Sequence, residues 1–372
     1  MKDKYNACIL LHALGDTIGF KNGDWEFNRN TQNEFIKKKN LMEEEYTLEI
    51  VYEFIMLGGC ANINLKGWNV SDDTILHICT IKTLLKEHKN VNNICKILRK
   101  YFIKAINESK KSKINRYYGE TTIENIKKLE VSESNIHKLK YNIRYGGSGA
   151  AMKSLCIGLV YHGEKNRQKL IETTIEICRM THNSINAYIG SLATAMFVSF
   201  AIEEIDIKEW SIKFVKVLES GIVDKYLKNT RNYDDYIMEK PGFINAWKDF
   251  NDSKFDKQGN IIKYKNDRNL VKRMSSTLHT GDDEKIWPGG DSFTAIIFAY
   301  SSLLDCDSIF DTLIFYSMLH YGDSDTIGCI AAGLYGAYYG FKNIHVNLLK
   351  HLEFKDELLG LSDRLYNKFY KK

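Results

Sequence analysis

Apolar positions recur along this chain at helical spacing. "YTLEIVYEFIMLGG" (Tyr46 to Gly59) sets Leu48, Val51, Phe54, Ile55 and Leu57 on one broad stripe and stops at a glycine pair, a natural helix end. "TILHICTIKTLLKEHK" (Thr74 to Lys89) repeats the pattern with Ile75, Ile78, Leu84 and Leu85, then ends in basic residues that suit a helix C-terminus. The same spacing predicts helices over Ala150 to Tyr161, Ser184 to Ile205, Asp291 to Leu304, Asp311 to His320, Thr326 to Tyr339 and Phe354 to Tyr370. Only two prolines occur, and interior proline breaks helices. No series of alternating strands and no Asn-Gly turn between apolar alternations is found. The fold class read from this pattern is all-α.

Polar connections fall near Lys21 to Glu44, Asn107 to Arg144 and Asn251 to Gly290, the last of them long and lysine-rich. Long connections in compact domains are usually functional or mobile. Acidic clusters lie on both sides of each connection, so residues 1–372 are expected to form a single compact domain.

Composition adds exclusions. With 44% hydrophobic and 27% charged residues, 372 residues can bury a large core. A net charge of +5 is too mild to argue for a nucleic-acid partner. Eight cysteines without a Cys-x-x-Cys pair read as reduced, small hydrophobes in a reducing compartment. Lys2, Asp3 and Lys4 do not open a signal peptide. The longest apolar stretch, Gly190 to Ile202, falls short of the about 20 residues a bilayer needs. The expectation is a soluble, cytoplasmic protein with neither nucleic-acid nor membrane partners.

Two segments carry the chemistry. "YGDSDT" (Tyr321 to Thr326) and "VSDDT" (Val70 to Thr74) each run acids and hydroxyls into an apolar helix, about 250 residues apart. Either cluster alone reads as an N-cap, since Ser, Asp and Thr cap helices and acids suit the first turn. Capping needs one oxygen, however, and each cluster offers two carboxylates. Together they supply oxygen donors without sulfur or imidazole, the set a hard divalent cation takes, with room for two ions roughly 3.5–4 Å apart.

Three further motifs remain open in reading. "YGGSGAAMKSLCIGL" (Tyr145 to Leu159) is a glycine-rich turn opening a helix, either a phosphate cradle of backbone N–H groups or a tight packing turn. "NRYYGETT" (Asn115 to Thr122) offers Arg116 and Gly119 to a sugar or phosphate, or is an ordinary loop. "ALGDTIGFKNGDWEFN" (Ala13 to Asn28) begins with small residues that let helices approach. It then exposes Asn22, Trp25 and Glu26, where an acid beside an aromatic ring could grip a guanidinium. Asp16 is a buried supporting acid or a polar edge position, and His182 reads alone as a helix-start hydrogen-bonding group.

Taken in order, "LGDTIGF", "NGDWEF", "VSDDT", "GGSGAAM", "MTH" and "YGDSDTIGCIAA" resemble the ADP-ribosylglycohydrolase family over nearly the whole chain. The Asn22 to Phe27 stretch looks closest to the ADP-ribosyl-arginine hydrolases, the group that includes dinitrogenase reductase-activating glycohydrolase. The resemblance implies an all-α fold with two magnesium ions, or manganese, at the mouth of a cleft. Ser71, Asp72, Asp73, Asp323, Asp325 and Thr326 would be the ligands, and Asp72, Asp73 and Glu26 the catalytic carboxylates. Asn22, Glu26, Arg116, Gly119, Gly146, Gly147, Ser148, Gly149, Met152, Lys153 and His182 would bind the substrate, with Glu26 recognising its guanidinium. The implied partners are ADP-ribose and arginine-ADP-ribosylated proteins. Serine-linked or O-acetyl-ADP-ribose hydrolysis, or a non-catalytic ADP-ribose-binding scaffold, are the alternatives. Tyr321 stands where the family often has glycine, and Lys153 where arginine is common.

Overall fold

The computed structural model describes residues 1–28, 43–262 and 288–371. Helices build it: α1 (Lys2–Phe20), α2 (Glu43–Met56), α3 (Asp72–Leu84), α4 (Val91–Ser109), α5 (Glu120–Val131), α6 (Leu155–Val160), α7 (Arg167–Arg179) and α8 (Ile185–Ile202). They continue as α9 (Trp210–Glu219), α10 (Ile222–Lys228), α11 (Tyr233–Lys254), α12 (Ser292–Asp305), α13 (Phe310–Ser317), α14 (Ser324–Tyr339) and α15 (Lys355–Leu365). Among the described residues the only β pairings are two isolated bridges, Gly147 to Asp291 and Phe255 to Ile261.

The most extensive packing joins the first helix to α14. Their backbones touch because glycines line the contact. A Cβ on Gly19 would sit 2.2 Å from the Ser324 carbonyl oxygen, and one on Gly15 would sit 2.2 Å from the Gly328 carbonyl oxygen. Ser324 Oγ donates to the Gly19 carbonyl at 2.8 Å. This crossing carries the C-terminal end of α1 onto the N-terminal end of α14, beside the second acidic cluster.

One hydrophobic cluster runs through the helices from Tyr5 to Leu365. The whole of α8 is buried within it. That helix, predicted over Ser184 to Ile205, is long and apolar enough to cross a membrane by length and composition, where the stretch from Gly190 alone fell short, and all of it is buried. All eight cysteines are buried and free.

Four expectations need correction. The broad stripe on α2 is narrower than its spacing implied: Ile50 and Phe54 are buried, while Leu48, Ile55 and Leu57 stand 67%, 55% and 42% exposed. Phe54 is the anchor, its ring 6.2 Å from Trp25 and 5.7 Å from Phe315. The polar stretch 107–144 contains α5, which buries only Thr122, Asn125, Ile126 and Leu129 and so shows a weak apolar signal. The glycine turn does not open an α-helix directly. A single 3₁₀ turn, Ser148–Ala150, intervenes, and α6 begins only at Leu155. Pro241 also lies inside α11, where a break would be expected.

Candidate active site

Asp16 on α1 joins the N-terminus of α3 to the core. Its Oδ1 accepts the Ser71 N–H at 3.0 Å, and its Oδ2 accepts the Thr74 N–H at 3.1 Å and the Thr74 hydroxyl. It is fully buried, so of its two readings the supporting acid is the observed one. Ser71 is the N-cap of α3, its hydroxyl accepting the Asp73 N–H at 3.1 Å. Asp323 caps α14, accepting the Thr326 N–H at 3.4 Å. Asp325 Oδ1 shares that N–H at 2.9 Å, so these helix-end bonds use Ser71, Asp323 and one oxygen of Asp325 and leave Asp72 and Asp73 unexplained.

Those acids meet. Thr326 Oγ1 donates to Asp73 Oδ2 at 2.9 Å, joining the two clusters directly. Carboxylate oxygens of Glu26, Asp323 and Asp325 lie within 4.8 Å of one another. The loop after α1 delivers Glu26 there because the Phe27 N–H donates to the Gly322 carbonyl at 3.0 Å. The Gly119 backbone lies near enough to Asp72 to favour its charged form. Ser71, Asp72, Asp73, Asp323, Asp325, Thr326 and Glu26 are all buried.

The electrostatics follow from that crowding. Burial first, then the Asp16 and Asp323 charges, pushes Asp72 well above the usual carboxylate range. Burial, then Asp16, Asp72 and Asp323, does the same for Asp73. Asp325 is raised by burial, then by Glu26, Asp73 and Asp323. Burial raises Asp16 to about 6 against four hydrogen bonds that lower it. Like-charged carboxyls at this range cannot all ionise unaided. A hard divalent cation, bound by carboxylate and hydroxyl oxygens, fits this donor set.

The glycine turn lies nearby, held by a strap, residues 288–292. The Ser292 N–H donates to the Gly146 carbonyl at 2.9 Å, and Ser148 N–H to the Gly290 carbonyl at 3.3 Å. The same strap reaches the second acidic cluster, where the Asp323 N–H donates to the Pro288 carbonyl at 2.9 Å. Residues 288–292 thus set the distance between the turn and the carboxylates. Asp291 anchors the strap by accepting the Phe293 and Thr294 N–H groups and the Asn186 amide. His182 sits against the turn, its Nε2 3.3 Å from where a Cβ of Gly147 or of Gly149 would stand.

Several residues expected to touch substrate are engaged elsewhere. Arg116 pairs with Glu353 through both guanidinium nitrogens, at 2.7 and 3.1 Å, and donates to the Val70 carbonyl at 2.6 Å. Glu353 also accepts the Val70 N–H at 2.9 Å, so this pair clamps the residue just before Ser71. Asn22 spends its amide on Gly67 and Asn69, bracing the turn that precedes Val70. Met152 lies in the core, and Lys153 is fully buried rather than open to the turn. Trp25 offers no free face, being 2% exposed with Lys21 Nζ over its ring at 5.1 Å, so the aromatic half of a guanidinium grip is absent. Tyr321 is buried.

Sequence reasoning missed Glu353 altogether. Glu353 stands 237 residues from Arg116, and no local pattern marks it.

The ADP-ribosylglycohydrolase family profile matches residues 1–372. An Acanthamoeba polyphaga mimivirus protein named as an ADP-ribosyl glycohydrolase is 33% identical over 95% of this chain and 68% of its own. The ADP-ribosylhydrolase ARH1 of Dictyostelium discoideum is 29% identical over 98% of this chain and 94% of its own. Among solved structures, an ADP-ribosylglycohydrolase-related protein complex shares the fold, with a TM-score of 0.60 at 15% identity over 98% of both chains. With its helices, its joined acids and these relatives in view, this chain belongs to the ADP-ribosylglycohydrolase family.

Proposed function

We propose that the protein hydrolyses the N-glycosidic bond between ADP-ribose and arginine, releasing ADP-ribose from modified proteins in the cytoplasm. Family membership supports action on ADP-ribosyl compounds in general. The observation that carries the site is the Thr326 to Asp73 contact, which makes one oxygen-rich cage from two distant clusters. Ser71, Asp72, Asp73, Asp323, Asp325 and Thr326 would hold two divalent ions, magnesium or manganese. Such ions, when bound, supply Lewis-acid charge and lower the pKa of water.

The chain's own groups supply the rest. One carboxylate of the Asp72–Asp73 pair takes a proton from the attacking water. The glycine turn, Gly146 to Gly149, holds phosphate or ribose with backbone groups, since no side chain stands in the way. Glu26, beside Asp323 and Asp325, orients the departing guanidine.

Arginine selection rests on Glu26 and on the likeness of Asn22–Phe27 to the arginine-directed group, because the Trp25 face is covered. The deciding experiment follows ADP-ribose release from arginine-modified and serine-modified proteins, with and without magnesium. Magnesium-dependent release from the arginine substrate alone supports the proposal. Release only from the serine substrate moves the assignment to serine-linked ADP-ribose, and binding without turnover makes the protein a scaffold.

A further inference from the structure

Lys153 and Thr181 form a buried chain behind His182. Lys153 Nζ, with no exposed surface, donates to the Gly149 carbonyl and to Thr181 Oγ1 at 2.8 Å. Thr181 Oγ1 lies 2.9 Å from His182 Nδ1. Among the described residues the Thr181 hydroxyl has these two partners and no other.

The directions of these bonds can be worked out. An ammonium only donates, so the threonine oxygen accepts from Lys153. The hydroxyl has one proton, and Nδ1 is the acceptor within its reach. If Nδ1 carried the proton instead, the hydroxyl would accept twice and its own hydrogen would be buried without a partner, which is costly. His182 Nδ1 is then unprotonated, and the ring hydrogen sits on Nε2. That nitrogen makes no hydrogen bond to the described residues and faces the turn, 3.3 Å from where Cβ atoms of Gly147 and Gly149 would be. Glycine at these positions keeps it open: a Cβ on Gly149 would stand 2.9 Å from His182 Cε1.

We propose that Lys153 and Thr181 are positioning residues that fix His182 as a neutral imidazole, its Nε2–H presented to the glycine turn as a donor to a phosphate oxygen of ADP-ribose. Burial, reinforced by the Lys153 charge, holds the His182 imidazolium well below its ordinary range. Burial also pushes Lys153 down to about 8, a value that leaves it mostly charged at neutral pH. The assignment deepens the proposed function, resting on that reading's placement of the diphosphate at Gly146–Gly149. It also explains how lysine serves where the family often has arginine. A hidden charge with two acceptors needs no guanidinium fork.

The test uses the full chain labelled with ¹⁵N. Long-range ¹⁵N–¹H correlation reports which His182 nitrogen carries hydrogen at neutral pH. The expected result is an Nε2–H tautomer that perturbs on adding ADP-ribose. Thr181→Val should lose the tautomer preference and weaken ADP-ribose binding about tenfold, with Mn²⁺ affinity unchanged. Thr181→Ser, which keeps the hydroxyl, should restore both. An Nδ1–H tautomer in the wild type overturns the inference. So does a folded Thr181→Val with unaltered tautomer and ADP-ribose affinity. Failure of the wild type to bind ADP-ribose would instead overturn the proposed function, while the tautomer in the free protein still decides this assignment.

Discussion

Thr326 and Asp73, 253 residues apart in sequence, share a hydrogen bond of 2.9 Å. The contact is reached because the glycine-lined crossing of α1 and α14 sets Gly19 against Ser324 and Gly15, next to Asp16, against Gly328. Asp16 then pins the start of α3. The first helix therefore aligns both clusters, one through Asp16 and the other through Gly15 and Gly19.

Asp325→Asn should act with opposite signs on the two forms of the protein. Without metal it removes a buried charge that faces Glu26, Asp73 and Asp323, so thermal stability should rise. With magnesium or manganese it removes a ligand charge, so metal affinity and turnover should each fall by at least about 100-fold. Melting scans with and without metal, alongside ADP-ribose release, check this. Asp323→Asn should likewise abolish activity with little change in volume.

The metal-free protein should lose stability as pH rises. Asp16 has its folded pKa raised to about 6 from an ordinary 3.8, so between those values the folded state holds more protons than the unfolded state. Stability then falls with increasing pH across that window. Asp72, Asp73 and Asp325, raised by burial and by one another's charges, add to the fall. Denaturant melts of chelated protein at pH 5 and 7.5 should show it, with added divalent metal protecting more at 7.5.

Gly19→Ala tests the helix crossing. Its Cβ would meet the Ser324 carbonyl oxygen at 2.2 Å, and neither backbone can yield locally. A loss of about 1–3 kcal/mol or more is expected, with weaker metal binding because Ser324 adjoins Asp323 and Asp325. Unaltered melting would show that the helices do not approach so closely.

Arg116→Ala or Glu353→Gln should loosen the clamp on Val70 and so displace Ser71 to Asp73. Groups that orient metal ligands typically affect affinity by about 10–100-fold. The expected loss is in metal affinity, measured by titration calorimetry, with substrate KM at saturating metal largely kept. A large KM effect with normal metal binding would return Arg116 to direct substrate contact.

Much of this was legible in the amino-acid order. The helices over Thr74, Ser184, Asp291 and Thr326 announced themselves because their caps and apolar spacing are local. The acidic clusters were visible for the same reason. What was hidden was pairing at a distance: Arg116 looked like a free cation until Glu353 supplied its partner. Trp25 looked like an open platform until Lys21, Phe54 and Trp68 covered it. α5 was missed because one narrow face suffices to dock it. The polar connections expected over Lys21 to Glu44 and Asn251 to Gly290 lie in part, at 29–42 and 263–287, outside the described residues.

The most direct single measurement is electron paramagnetic resonance of Mn²⁺ titrated into metal-free protein, comparing the wild type with Asp73→Asn and Asp325→Asn. Two coupled ions per chain in the wild type, with binding impaired by substitution in either cluster, is the expected result. Absence of binding, or binding indifferent to one of the two aspartates, would contradict a cage built jointly from Ser71–Asp73 and Asp323–Thr326.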